Sequence, residues 1–239
     1  MIKIKNIYHF YLNNDRNKIV VFDALNLEIK EKEIVSIVGP SGCGKTTLVN
    51  IVAGYIKPIS GEVLINNKSI TGPGRDRVVI NQGDDLFEWM TVANNIRLVA
   101  KNKSEDNIEK YIKLVHLSDF KNAYPKELSG GMKKKLSLVR ALAAEPEFII
   151  MDEPFASLDY QAKEELYEEF LNIVMVSHKT ILLVTHDIEE AIFLSNRVVV
   201  FFGTPASIKQ EVMIPFLYPR DKNIKELNEF KELKLKIRL

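Results

Sequence analysis

The chain has 239 residues, with 33 Lys and Arg against 32 Asp and Glu and a formal net charge of +1. That length suits one large α/β domain with a substantial core and room for an inserted subdomain. A charge this close to zero offers no general field for nucleic acid or anionic lipid. Hydrophobic residues make up 46% of the chain, yet no apolar run approaches the roughly 18 residues of a membrane span. A membrane role therefore has to come through a partner. The alternating start Met1-Ile2-Lys3-Ile4-Lys5 reads as strand and not as a signal peptide. A single cysteine, Cys43, excludes an internal disulfide and suits a reducing compartment.

Residues 2–7 and 22–29 read as strands around the polar turn Asn13-Asn14-Asp15-Arg16-Asn17. Tyr8, Phe10 and Tyr11 precede that turn. Each reads either as packing at the edge of the core or as a platform for a base, and Tyr11 is the one chosen for the platform. Residues 33–38 form a short buried strand, and residues 48–54 a helix stopped by glycine. Between them lies Gly39-Pro40-Ser41-Gly42-Cys43-Gly44-Lys45-Thr46-Thr47, which fits G-x-x-x-x-G-K-[ST] in the strand–loop–helix setting that the pattern needs. Glycines let backbone N–H groups press onto phosphate oxygens, and the helix that follows turns its positive dipole end to the same anion. Lys45 would reach the β- and γ-phosphates of a nucleotide, and the Thr46 hydroxyl would hold Mg²⁺. Cys43 reads as a small filler within the loop.

Residues 62–67 look like half of a hairpin, and residues 77–80 like a strand ending at Asn81-Gln82. A polar Gln82 at a strand end reads either as a loop residue or as a contact for Mg²⁺ or water. From residue 84 the character changes: residues 91–99 and 108–117 read as helices, and glycine is absent from 84 to 129. Trp89, at the entrance to this helical stretch, is either core or a hydrophobic surface for a partner. Leu128-Ser129-Gly130-Gly131-Met132 then opens a helix buried through Leu136, Val139, Leu142 and Ala143. Ser129 reads as an N-cap, and the start reads either as an ordinary capped helix, the reading these residues favour on their own, or as a second phosphate-facing helix start with the N–H groups of Gly130 and Gly131 open to an anion. Lys133, Lys134 and Lys135 cannot share one helix face, so one or two of them could reach a phosphate while the rest are solvated.

Residues 148–153 form a buried strand that ends in two carboxylates. Asp152 suits Mg²⁺, directly or through water, and Glu153 suits a general base acting on the attacking water. The turn at residues 154–159 leads into a helix over 161–175 that buries Leu166, Phe170, Ile173 and Val174. Another buried strand, 180–185, ends at His186, placed to bond the γ-phosphate or the catalytic water. A short helix over 188–195 and a strand over 197–202 follow. From residue 203 the tail mixes turns with a charged amphipathic helix over about 224–237.

In this order the motifs resemble the ATP-binding subunit of an ABC transporter, over nearly the whole chain. Residues 39–47 look like the Walker A loop, Gln82 the Q-loop, 128–132 the signature, 149–153 Walker B, 157–159 with Asp159 the D-loop, and His186 the switch histidine. The resemblance implies a P-loop NTPase (RecA-like) α/β core, with an antiparallel β subdomain and an inserted α-helical subdomain. The expected division is 1–82 with 141–205 for the core, 83–140 for the helical subdomain and 206–239 for the tail, which leaves no room for the regulatory domain of some importers. Asp152-Glu153-Pro154-Phe155 followed by Leu158-Asp159, and Thr185-His186-Asp187-Ile188-Glu189-Glu190-Ala191, resemble bacterial importers, while Thr71-Gly72-Pro73-Gly74-Arg75-Asp76-Arg77 with Trp89, and Pro205-Ala206-Ser207-Ile208 before Tyr218-Pro219-Arg220-Asp221, resemble the nitrate/sulfonate/taurine group, which also includes thiamine-precursor uptake.

That group implies ATP and Mg²⁺ as cofactors, with Tyr11, residues 39–47, Gln82, Ser129, Gly130, Gly131 and Asp159 on the nucleotide. Thr46, Gln82 and Asp152 would lie on the metal, and Lys45, Glu153 and His186 would take part in catalysis. It also implies a head-to-tail homodimer, a permease, an extracytoplasmic solute-binding protein, no nucleic acid, and a peripheral place on the cytoplasmic face of the membrane. An alternative is a non-transport ABC ATPase of the iron–sulfur assembly type; Trp89 and the Gly72-Pro73-Gly74 turn favour the importer. The chain departs from the group at Asn81, at residues 83–88, which are expected to meet the permease, and at Lys133-Lys134-Lys135 in place of Lys-Gln-Arg.

Overall fold

The computed structural model describes all residues except Asp84, Arg238 and Leu239, together with the side chain of Val176. One position of the loop at 83–88 and the last two of the expected tail thus lie outside the described residues.

Two sheets build the molecule. Strands β1 (Ile2–Leu12) and β2 (Lys18–Ile29) form a long antiparallel hairpin, extended beyond the expected 2–7 and 22–29. With β4 (Ser60–Ile65) and β5 (Lys68–Ser69) they make a four-stranded antiparallel sheet in the order β2-β1-β4-β5. The second sheet has six strands in the order β10-β9-β3-β8-β7-β6. Of these, β3 (Ile34–Val38), β6 (Arg77–Ile80), β7 (Phe148–Asp152), β8 (Thr180–Val184) and β9 (Arg197–Phe202) are parallel. Only β10 (Ser207–Met213) runs antiparallel, against β9. The tail was expected to mix turns with a helix, and β10 is an addition to that reading. Its alternation of exposed and half-buried residues is that of a sheet edge, where one face stays wet and the charges of Lys209 and Glu211 are tolerated.

Period-two alternation sends side chains of the central strands to opposite faces. Val35, Ile37, Ile150, Leu182 and Val184 pack with α1 (Lys45–Ala53) and the antiparallel sheet. Ile149, Met151, Ile181 and Leu183 pack on the other face, in one core with α2 (Val92–Val99), α3 (Glu105–Leu114), α4 (Gly130–Ala143) and α5 (Tyr160–Ser177). The expected buried positions Leu136, Val139, Leu142 and Ala143 of α4, and Leu166, Phe170, Ile173 and Val174 of α5, all lie in this core. A third cluster joins α6 (Ile188–Leu194) and α7 (Asn228–Lys236) to β9 and β10.

The helices start where short polar side chains can accept their free N–H groups. Thr91 accepts from Asn94, Ser104 from Asn107, Ser129 from Met132, Asp159 from Ala162, and Asp187 from Glu189 and Glu190. Among the described residues, no helix is long and apolar enough to cross a membrane.

Candidate nucleotide site

Because β3, β6, β7 and β8 are parallel neighbours, the segments that leave their C-terminal ends meet along one edge of the sheet. Ile37 and Asp152 both pair with Val184. Backbone bonds carry the register just past the strands, with Thr185 N–H donating to Ile37 O at 3.1 Å and Glu153 N–H to Val184 O at 2.8 Å. The loop at 39–47, the carboxylates Asp152 and Glu153, and His186 are therefore brought together by strand pairing.

Within the loop, Gly44 has φ 98° and a Cβ there would lie 2.5 Å from Val21 Cγ1, so any side chain would collide with β2. At Gly39 a Cβ would come within 2.8 Å of the Phe201 carbonyl. The loop thus packs too closely for side chains at these positions. Cys43 is buried, and burial raises its thiol above the usual value although Lys45 pulls the other way. Lys45 is only 7% exposed, and its ammonium donates to the carbonyls of Gly39 at 2.8 Å and Pro40 at 3.0 Å. Its charge is thereby stationed inside the loop to which it belongs. Tyr11 is exposed at the end of β1, with its hydroxyl 3.4 Å from Thr47 Oγ1. Of the three aromatics before the hairpin turn it is the most exposed, since Tyr8 and Phe10 are half-buried.

Asp152 is half-buried, and burial lifts its carboxyl above the usual aspartate range. Thr46 and Lys45 favour its ionised form, while Glu153 opposes it. Glu153 takes φ 48°, a left-handed conformation that a side chain adopts only at a cost. That turn aims its carboxylate at His186, with Nδ1 3.2 Å from Oε2.

The other expected positions stand apart from this cluster. Ser129, Gly130 and Gly131 begin α4, whose core lies on the opposite face of the sheet from that of α1. The Ser129 hydroxyl accepts the Met132 N–H at 3.3 Å, and Gly130 lies beside Leu158, just before Asp159. Asp159 caps α5. Gln82 is exposed in the loop after β6.

The expectation that the three lysines after Met132 would be solvated or reach a phosphate does not hold. Lys134 is fully buried, and its ammonium donates to the carbonyls of Gln82 at 2.8 Å, Gly83 at 3.3 Å and Asn81 at 3.4 Å. Lys135 pairs with Glu169 of α5 at 2.7 Å, and Lys133 is half-buried. Helical spacing sets Lys134 on a stripe with the buried Leu138 and Ala141, but the carbonyls that make its burial tolerable come from the loop after β6. Trp89 resolves to the surface alternative: it is 72% exposed, edge-on to Phe87 at 5.3 Å, with the Arg140 guanidinium over the Phe87 ring.

Comparison with known proteins extends these observations. A family model described as ABC transporter matches residues 22–156. The nitrate import ATP-binding protein NrtD of Synechococcus elongatus is 40% identical over 216 residues, spanning 87% of this chain and 79% of that protein. The aliphatic sulfonates import ATP-binding protein SsuB of Bacillus cereus is 37% identical over 225 residues, spanning 93% of this chain and 90% of the relative. The dimeric structure of a bacterial ABC transporter cassette superposes with a TM-score of 0.76 at 30% identity, over 91% of this chain and 100% of that chain.

Proposed function

We propose, because this chain belongs to the ABC transporter family and is an ATPase of that type, that it energises the import of a small solute through a separate membrane permease. The observation that carries the reading is the Glu153–His186 contact at 3.2 Å beside the phosphate loop, in a chain whose relatives are named as nitrate and aliphatic sulfonate import ATP-binding proteins. Glu153 serves as the base that activates water, and His186 attends the γ-phosphate. Lys45 and the loop at 39–47 hold the phosphates, and Tyr11 stacks on the adenine.

Thr46 and Asp152 set a hydroxyl beside a carboxyl that burial raises above the usual aspartate range, with Thr46 and Lys45 pulling it back in part. This donor set fits Mg²⁺, which takes one or two carboxylates along with phosphate and water oxygens. Gln82 would join it from the loop after β6. Bound there, the ion would neutralise charge on the phosphates.

The two faces of the sheet argue for a dimer. With α1 and α4 on opposite faces, Ser129, Gly130 and Gly131 are taken to serve the ATP held by a second copy, and Asp159 to lie at the same junction. ATP would join the copies head to tail and hydrolysis would release them. Trp89 with Phe87 offers an exposed aromatic patch to a permease. The protein would then sit peripherally on the cytoplasmic face of the membrane, with solute choice left to the permease and an external binding protein. The family resemblance leaves nitrate, sulfonate, taurine and thiamine precursors as solute classes.

The test is capture by tagged Glu153→Gln with ATP from detergent-solubilised native membranes, with the bound proteins identified by mass spectrometry. A multi-span permease is expected, and the variant should retain ATP while losing about 10²–10⁴-fold in turnover. Recovery of soluble partners alone would overturn the import reading, and retained turnover would remove Glu153 as the base.

A further inference from the structure

The roles above leave unused a buried pair beside the site. The Tyr167 hydroxyl of α5 donates to Oε2 of Glu190 on α6 at 2.8 Å, and each residue is 2% exposed. Glu190 heads a fully buried run, Glu190-Ala191-Ile192-Phe193-Leu194. A carboxyl in such a place is costly unless hydrogen bonds compensate it. Burial above all, with Asp187 beside it, holds Glu190 up at about 7, although the hydroxyls of Tyr167 and Thr185 and the charge of Lys163 draw it down. Its Oε1 has no hydrogen-bond partner among the described residues. A carboxyl in the first turn of α6 suits the positive end of the helix, but that would be served equally well by an exposed one, so its full burial needs another reason.

The surroundings supply one. His186 lies in the turn between β8 and α6, bracketed by Thr185 and Asp187. Asp187 N–H donates to Thr185 Oγ1 at 3.0 Å, and the Asp187 carboxylate accepts from the N–H groups of Glu189 at 2.9 Å and Glu190 at 3.2 Å. Glu190 is thus tied to the turn that carries His186. On its other side, the Tyr167 ring packs edge-on against Phe155 at 5.1 Å and lies 6.0 Å from Phe193. Phe155 stands two residues after Glu153. Tyr167 therefore touches the segment that leaves Glu153 with its ring and holds the helix that leaves His186 with its hydroxyl.

We propose that Glu190, through Tyr167, is a positioning residue for hydrolysis: the pair sets the separation of Glu153 and His186. The inference rests on the roles proposed above for those two residues. Small misplacements of reacting groups cost turnover steeply. The ionised carboxylate is the better acceptor for the Tyr167 hydroxyl, so turnover should rise with pH as Glu190 loses its proton. The charged groups around the pair are Lys163 and Glu164 from α5, Asp187 from the start of α6, and Lys225 from the tail. Lys225 is 5.4 Å from the Tyr167 ring and paired with Glu164, so it faces the ring.

The experiment is steady-state ATPase kinetics of the full chain from about pH 6 to about pH 9. The proteins are wild type, Tyr167→Phe, Glu190→Gln and Glu190→Ala, with His186→Ala as reference. Tyr167→Phe keeps the ring packing and should lower kcat about tenfold while KM for ATP stays within about twofold, since the phosphate loop is elsewhere. Glu190→Ala should behave like it, or worse. Glu190→Gln, which keeps an acceptor, should return kcat to within about threefold of wild type and flatten the rise around neutral pH. Wild-type kcat in Tyr167→Phe, or a loss spread equally over KM and kcat, overturns the inference even if Glu190→Ala does not fold. If His186→Ala turns over normally, the role of His186 falls and the inference falls with it. If His186→Ala is impaired and Tyr167→Phe is not, only the inference falls.

Discussion

Asp152 carries the sharpest conflict between stability and use. Its carboxyl is half-buried at the end of an apolar strand, and burial raises it above the ordinary aspartate range. The folded chain therefore holds this proton more tightly than the unfolded chain does. Stability linked to the group is fully present below the unfolded value and is lost as pH rises through the raised folded value. Asp152→Asn removes that loss. The variant should melt about 2–4 °C above wild type at neutral pH, and the gap should narrow as pH is lowered toward about 4. Thermal melts across pH check this; a gap that widens on acidification would contradict the raised value. Activity should disappear in the same variant, because a neutral amide is a poor ligand for Mg²⁺.

At the scale of elements, α6 is held from both ends. Asp187 caps its start. At its other end Arg220, only 4% exposed, donates to the carbonyls of Ile192, Phe193 and Ser195 at 2.9 Å each, and also to Phe216. The Tyr218 hydroxyl donates to Leu194 O at 2.8 Å, and the guanidinium lies over the Tyr218 ring. Tyr218-Pro219-Arg220, met in the sequence as a mark of kinship, is thus the clasp that satisfies the free carbonyls of a helix end. Arg220→Ala would leave several buried carbonyls without donors. We expect a loss of about 2–4 kcal/mol in urea unfolding, with Lys at that position recovering only part because it lacks the planar fork. An unfolding midpoint equal to that of wild type would show the clasp to be dispensable.

For the whole molecule, the composite site proposed above, with α1 and α4 on opposite faces of the sheet, needs two copies. Ser129→Arg should leave the monomer folded, because Ser129 is exposed at a helix start, and should abolish dimers formed by the Glu153→Gln background with ATP. Light scattering after size exclusion reads the outcome. Dimers that persist would defeat the composite-site model. The same separation divides the residues proposed to face the nucleotide into two groups, one gathered at the strand ends and one at the start of α4.

What the sequence determined by itself lies within a few residues of each motif. The glycines of the phosphate loop, the apolar runs of β3, β7 and β8, the buried stripes of α4 and α5, and the caps at Ser129 and Asp159 are all set by backbone geometry and side-chain period, which neighbours along the chain decide. Gathering Lys45, Asp152, Glu153 and His186 was also foreseeable once those strands were taken as parallel. Other features needed distant partners. Lys134 is buried because carbonyls as far as 53 residues away accept its ammonium, Glu190 is held by a hydroxyl 23 residues away, and β10 is a strand only because β9 offers it an edge. Trp89 stayed ambiguous for the same reason, since a lone aromatic is core or surface according to what packs against it. Only the tertiary structure decided these, because the cost of burying a charge or leaving a ring in water depends on groups that local sequence does not contain.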